Sequence, residues 1–285
     1  MAKTVDKLFD KYLSKFETEF LRAINTDDEE AIHDLRVSIK KIRALFLFFK
    51  EAGFADVKSD YKYLRKLRDV FKKAGKLREY HIHKNLLEEY KQRTGTDFNA
   101  LEKYIEEQEK EARQAYHDFM PGLELRKLYQ TADQLHKAID NIPSKKLNKK
   151  LYDFIKSRVD ECHGYMFEQH YEQHLHQIRK YLKHIRFIIG QKIGNIHEMF
   201  ENEIDFKDTK KVEDILGEWH DRDEFRKLLD EFYNQLDETR QDEVYETYKT
   251  YKDEVEKDIQ DDVKKLRPEL IHVFSLMKTL LERQN

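Results

Sequence analysis

Three observations predict an all-α fold. Gly (8) and Pro (3) are scarce for 285 residues, leaving few punctuators for strands and tight turns. Leu, Lys, Glu, Ile, Phe and Tyr dominate, a composition that suits long helices. Apolar residues also recur at helical spacing, as in Ile32, Leu35, Ile39, Ile42 and Phe46. A charged fraction of 39% alone would suggest disorder, but 39% hydrophobic and 12% aromatic residues supply enough apolar surface to fold.

In chain order, helix breaks or caps are expected at Asn25-Thr26-Asp27-Asp28, Ala52-Gly53, Gly75, Thr94-Gly95-Thr96-Asp97, Met120-Pro121-Gly122 and Ile193-Gly194-Asn195. The stretch Asn141-Ile142-Pro143-Ser144 separates two halves, residues 1–143 and 144–285, of four to six helices each. A four-helix-bundle-like unit per half is the simplest packing.

The halves are related. LFDKY from Leu8 is echoed by LYDFI from Leu151, and HDLRVSIKKIRALF from His33 by HQIRKYLKHIRFII from His176, both at an offset of 143. AGKLREYHIHKNLL from Ala74 aligns with LGEWHDRDEFRKLL from Leu216 at an offset of 142. Three blocks thus keep one order and one spacing.

Formal net charge is only −3, yet charge is segregated. Arg36 to Arg93 holds 17 Lys/Arg against 7 Asp/Glu, whereas Asp237 to Asp262 holds 4 against 11. The acidic stretch, with Tyr245, Tyr248 and Tyr251 at three-residue spacing, reads as a solvated helix with a partly apolar seam that repels anions from that surface. Advancing about 100° per residue, His33, Arg36, Lys40 and Arg43 share one helix face beside the apolar one. His176, Arg179, Lys183 and Arg186 repeat the pattern, and Arg65, Arg68 and Lys72 form a further basic face. Packed together, such helices make a basic groove whose Arg forks and Lys point charges suit phosphate.

The motif H-x-x-R-V-x-x-[KR]-[KR]-x-R from His33 to Arg43, then L-R-x-L from Leu64 and G-x-x-R-[DE] from Gly75, resembles the CHAD family, the conserved histidine α-helical domain. The second-half H-x-x-R-x-x-x-K-x-x-R and L-G-x-x-x-D from Leu216 to Asp221 are similar to that family's C-terminal half. The resemblance spans essentially the whole chain. It implies a single domain, residues 1–285, of two pseudo-twofold-related helical bundles around a basic central groove that binds inorganic polyphosphate without catalysis. Carried over residue by residue, the binding positions are His33, Arg36, Lys40, Arg43, Arg65, Arg68, Lys72 and Arg78, with His176, Arg179, Lys183, Arg186, Lys207 and Lys210 in the second half. Asp214, Glu218 and His220 stand where the first half has Lys72, Lys76 and Arg78, so a lopsided groove is expected.

Other chemistries find less support. Phosphate loops, dinucleotide fingerprints, nucleophile elbows and H-E-x-x-H are missing from the sequence. Cys162, His163, His170 and His174 could ligate zinc but read more simply as polar helix positions, and His81 and His83 as ordinary helix residues; no cofactor or metal is expected. Glu79 and Asp221, at equivalent positions, read as anchors of helix ends or partners orienting a nearby Arg. Nucleic acid is the rival ligand, disfavoured because Phe46, Phe49 and Phe187 fit core-facing positions and leave few rings for stacking. A polyphosphate-processing enzyme is the other alternative. Lone Cys162, the lack of an N-terminal signal core and the absence of an apolar run of roughly 18 residues point to a soluble cytoplasmic protein. Association with polyphosphate granules is the corresponding expectation.

Overall fold

The computed structural model describes residues 2–25, 28–53, 61–140, 142–201, 203 and 206–283; side chains are excluded at 2–6, 25, 61–65, 131–132, 134–136, 138–140 and 206. Ten α-helices form among these residues, without a strand. They are α1 (Ala2–Asn25), α2 (Glu29–Glu51), α3 (Tyr61–Thr94), α4 (Asn99–Phe119), α5 (Leu125–Asp140), α6 (Ser144–Tyr165), α7 (Leu175–Gly190), α8 (Ile196–Glu201), α9 (Phe206–Asn234) and α10 (Glu238–Glu282).

Local chemistry sets several of these boundaries. Asp28 caps α2 by accepting from the Glu30 N–H, with Glu29 and Glu30 placing negative charge on the first turn. Asp237 caps α10 by accepting from the Arg240 N–H. Past α2 and α3 the chain turns through Gly53 (φ 70°) and Gly95 (φ 67°), a left-handed conformation that glycine adopts without steric cost. Met120-Pro121-Gly122 forms a 3-10 turn after α4, and Pro143 immediately precedes α6.

One expected break does not occur. Helix α3 runs through Gly75 to Thr94, because this glycine serves a neighbour and not a turn. A Cβ at Gly75 would lie 2.3 Å from Nη1 of Arg36, so the missing side chain leaves the space in which α2's arginine rests on α3.

The repeated blocks lie on α1, α2 and α3 in the first half and on α6, α7 and α9 in the second. The apolar residues gather into two clusters, and neither is confined to one half. The larger joins Phe9 and Phe16 of α1, Ile39 and Phe49 of α2, Leu151 of α6, Ile178 and Ile185 of α7 and Phe274 of α10. The other lies on α3, α4, α9 and α10, where Tyr90, Ile105, Phe225 and Tyr251 meet. Both clusters bury large side chains, each worth about 1.5 to 3 kcal/mol on removal from water, so apolar burial joins the two halves. As a result the seam between α2 and α7 is an internal surface. Among the described residues no helix is long and apolar enough to cross a membrane.

Candidate functional site

The basic faces of α2, α3 and α7 converge on one cavity of about 600 Å³. Its lining holds Lys40, Lys41, Arg43 and Lys50 from α2, Arg68 from α3, and Arg179, Lys180, Lys183 and His184 from α7, with Ala44, Phe46, Leu47, Phe71 and Phe187 between them. Among the described residues, no Asp or Glu belongs to this lining.

Phe71 organises one wall. Arg36 donates from Nη1 to its backbone carbonyl at 2.7 Å, and the guanidinium lies 4.3 Å from the ring centroid. Lys40 Nζ and the Arg43 guanidinium stand 5.8 and 5.3 Å from the same ring. Three cations thus share the negative face of one aromatic, which steadies them without neutralising any.

The electrostatic cost is visible in proton affinities. Burial, then the charges of Lys183, Arg36 and Arg179, brings Lys40 down to about 7, although it still meets solvent through the cavity mouth. Burial and Arg179 bring Lys183 to about 8, and burial brings Arg36 to about 10. Arg43, Arg179 and Arg186 shift in the same direction, also chiefly by burial. One carboxylate of α9, Asp221, sits within the electrostatic reach of Arg179, Lys183, Arg78 and Lys40; burial nonetheless pushes it up. Glu79 plays the corresponding part for Arg36. Both acids lie in helix interiors, so of their two expected roles it is orientation of nearby cations that fits, not anchoring of helix ends.

Of the expected binding residues, Lys40, Arg43, Arg68, Arg179 and Lys183 line the cavity, with Arg36 against its Phe71 wall. Arg78 lies within electrostatic reach of both Asp221 and exposed His33, and burial and Arg78 lower the proton affinity of that histidine. The remaining positions lie outside the lining. Arg186 pairs with Glu213, Lys210 pairs with Asp214, and Lys72 and Lys207 are exposed and outside the lining. His176 contacts Asp223 at 3.5 Å and packs beside Trp219. The side chain of Arg65 falls outside the described residues.

The cavity adds Lys41, Lys50, Lys180 and His184 to the set found by pattern. Lys50 continues the Arg43 face by two helical turns and was legible as such, whereas Lys41 and Lys180 lie away from the main stripe and join only because α2 and α7 pack face to face. Burial holds His184 near 4, so it is neutral at pH 7. Phe71 and Phe187 are half-buried at the cavity wall, a correction to the expectation that Phe187 faces only the core; Phe46 and Phe49 are buried as expected. His81 and His83 are buried helix residues, His83 lowered to about 4 by burial. Cys162 is buried with its thiol pushed up, His174 stacks on Tyr165 and meets Glu168 at 2.7 Å, and His170 meets Glu172 at 3.3 Å; these groups form no shared ligand set among the described residues.

Comparison with known proteins gives a family and a fold. The sequence model of the CHAD domain matches residues 7–230. The fold is similar to the crystal structure of the CHAD domain from the plant Ricinus communis, with a TM-score of 0.67 and 15% identity over 95% of this chain and 91% of that one. It is also similar to PptA from Streptomyces chartreusis, with a TM-score of 0.69 and 14% identity over 94% and 98%. No curated protein matches the sequence.

Proposed function

This chain belongs to the CHAD domain family, and from that premise we propose that it binds inorganic polyphosphate in the cavity between α2, α3 and α7 without turning it over. The observation that carries the reading is the charge of the lining, which among the described residues contains eight Lys/Arg side chains and no carboxylate. A polyphosphate offers one anionic unit after another, and a site with cations on three helices can hold several units at once by charge-assisted hydrogen bonds. Residues 1–285 act as one binding unit, with the first half supplying α2 and α3 and the second half α7.

The same lining supports the reading that the ligand is held and not hydrolysed. Metal-assisted phosphoryl transfer gathers carboxylates to hold Mg²⁺ against the phosphates, and the described residues that line this cavity include none. Nucleic acid is the second reading, supported by Phe71 and Phe187 at the cavity wall, where a base could stack. A titration with long-chain polyphosphate, single-stranded DNA and heparin separates these cases. Polyphosphate is expected to bind tightest and to release no orthophosphate with or without Mg²⁺. Tighter binding of DNA would favour the second reading. Steady phosphate release that survives repurification and disappears on a point substitution would establish an enzyme. In cells, a cytoplasmic protein of this function would gather on polyphosphate granules, which a fluorescent fusion would report.

A further inference from the structure

We propose that Lys40 is a site of covalent modification by acyl phosphates, in which the surrounding cations hold the phosphate group while Nζ takes the acyl group. The reaction asks for an accessible amine beside an anion-binding cluster. Lys40 lies on α2 and is exposed at the cavity mouth, where a small solute reaches it. Arg43 of the same helix, Arg68 of α3, and Arg179 and Lys183 of α7 share the lining, and Arg36 stands one helical turn before it. Among the described residues no hydrogen bond or ion pair engages its amine, which lies 5.8 Å from the Phe71 ring centroid.

An amine attacks only when unprotonated, and at pH 7 an ordinary lysine is so in roughly one molecule in three thousand. Burial, then the charges of Lys183, Arg36 and Arg179, opposed by Asp221, put Lys40 at about 7, so about half of it is neutral there. Lower proton affinity also weakens a nucleophile, as it does for thiols, and takes back part of the gain. Position supplies the rest. Arginines that hold the phosphate bring the neighbouring carbonyl to Nζ and stabilise the charge that collects on the departing phosphate. A bound acyl phosphate brings at most two negative charges, fewer than the cations of Arg36, Arg43, Arg68, Arg179 and Lys183, so Lys40 can stay neutral while the ligand is held.

Nζ adds to the carbonyl carbon, the bond from that carbon to the phosphate oxygen breaks, and phosphate leaves with the bonding pair and takes up the proton the amine gives off. The products are an amide on Lys40 and inorganic phosphate. Ala44, Leu47 and Phe187 in the lining suit a short acyl chain. The amide carries no charge. On the reading that polyphosphate binds here, acylation removes one cation from the site, and bound polyphosphate in turn shields Lys40.

The test treats the full chain, dialysed into chloride, with acetyl phosphate at pH 7 and follows acetylation of each lysine by mass spectrometry. Lys40 should react at least about tenfold faster than exposed Lys149, with a rate that levels off above about pH 8 while ordinary lysines keep gaining. Its lead should vanish in excess inorganic phosphate and in folded Arg179→Gln, and shrink severalfold with the N-hydroxysuccinimide ester of acetate, a neutral reagent that nothing guides to the site. Acetylation should lower polyphosphate affinity by about fivefold or more. The proposal is overturned if Lys40 reacts no faster than Lys149, if its rate climbs past pH 8 without levelling, or if its lead is the same with the neutral reagent. Selective acetylation in a protein that binds no polyphosphate would instead overturn the function proposed above and leave this site standing; polyphosphate binding with Lys40 unreactive does the reverse.

Discussion

The cation-lined cavity and the far end of α3, α4, α9 and α10 use the same residue types to opposite effect. At the far end cations meet acids. Arg222 pairs with buried Asp262, Arg93 with Asp258 at 2.8 Å and Glu254 at 3.0 Å, and Lys252 with Asp230 at 2.8 Å. Tyr90 adds a hydrogen bond to Asp258 at 3.0 Å. In the cavity the lining cations face one another, and proton affinities fall instead of rising: Arg222, Arg93 and Lys252 are held above their ordinary values, Lys40, Lys183 and Arg36 below. The acidic stretch of α10 is thus more than a solvated, anion-repelling surface, since Asp258 and Asp262 are committed to holding helices together. The contrast teaches that one region is electrically complete as folded, whereas the lining of the other carries positive charge that it does not itself balance.

The largest effect is expected where the charges are paired. Asp262→Ala leaves the largely buried Arg222 guanidinium only the more distant Glu218 and Asp258, at 3.7 and 3.8 Å, and should cost up to about 3 kcal/mol in urea unfolding. Polyphosphate affinity of the folded protein should not change. If it drops as well, the two regions are coupled and the contrast is too sharp.

Arg36→Ala and Arg179→Ala should each weaken polyphosphate binding by about 1 to 3 kcal/mol, read by calorimetry. The melting temperature of Arg179→Ala should hold or rise, because burial penalises that cation and its charge also lowers Lys40 and Lys183, whereas Arg36→Ala gives up the hydrogen bond to the Phe71 carbonyl as well. A fall in stability with unchanged affinity would show that these arginines serve structure.

Raising the pH should separate stability from binding. Between about 7 and the ordinary lysine value of 10.5, folded Lys40 and Lys183 carry fewer protons than the unfolded chain does, so the stability of the free protein rises with pH through that window. Affinity requires the charged lysines and should fall over the same rise, by at most about tenfold per pH unit for each lysine that must be recharged. Lys40→Met with Lys183→Met should flatten both curves.

The smallest effect is in salt dependence. Replacing Arg43 and Arg68 should reduce the slope of log affinity against log salt by about one for each phosphate no longer held, and replacing Lys207 and Lys210 should leave it nearly unchanged. Equal reductions would place the second-half lysines on the ligand after all.

Sequence pattern reached the parts of this molecule that repeat along a helix. The all-α class, the break before α6 and the shared face of Arg36, Lys40 and Arg43 follow from spacing alone, as does that of Arg179 and Lys183. Alignment of the halves gave Lys207 and Lys210, which lie outside the cavity lining, because it transfers position without surroundings; Arg186, read from the same spacing as Arg179 and Lys183, pairs with Glu213 instead. A warning was nonetheless legible in Asp214, one helical turn past Lys210 and paired with it. Roles that depend on packing between helices could not be read from spacing. Gly75 reads as a stop but makes room for Arg36, and Phe71 and the meeting of His176 with His220 bring together residues far apart in sequence.

Phe71 also has a practical consequence. A ring holds Arg36, Lys40 and Arg43 in register by its quadrupole and spends no negative charge doing so, which makes this wall resemble the fixed matrix of an ion-exchange resin. The protein should load whatever multivalent anion its buffer contains and give it up by exchange. Sulfate or citrate carried through a purification would then appear as a missing first step in a polyphosphate titration, restored by dialysis into chloride.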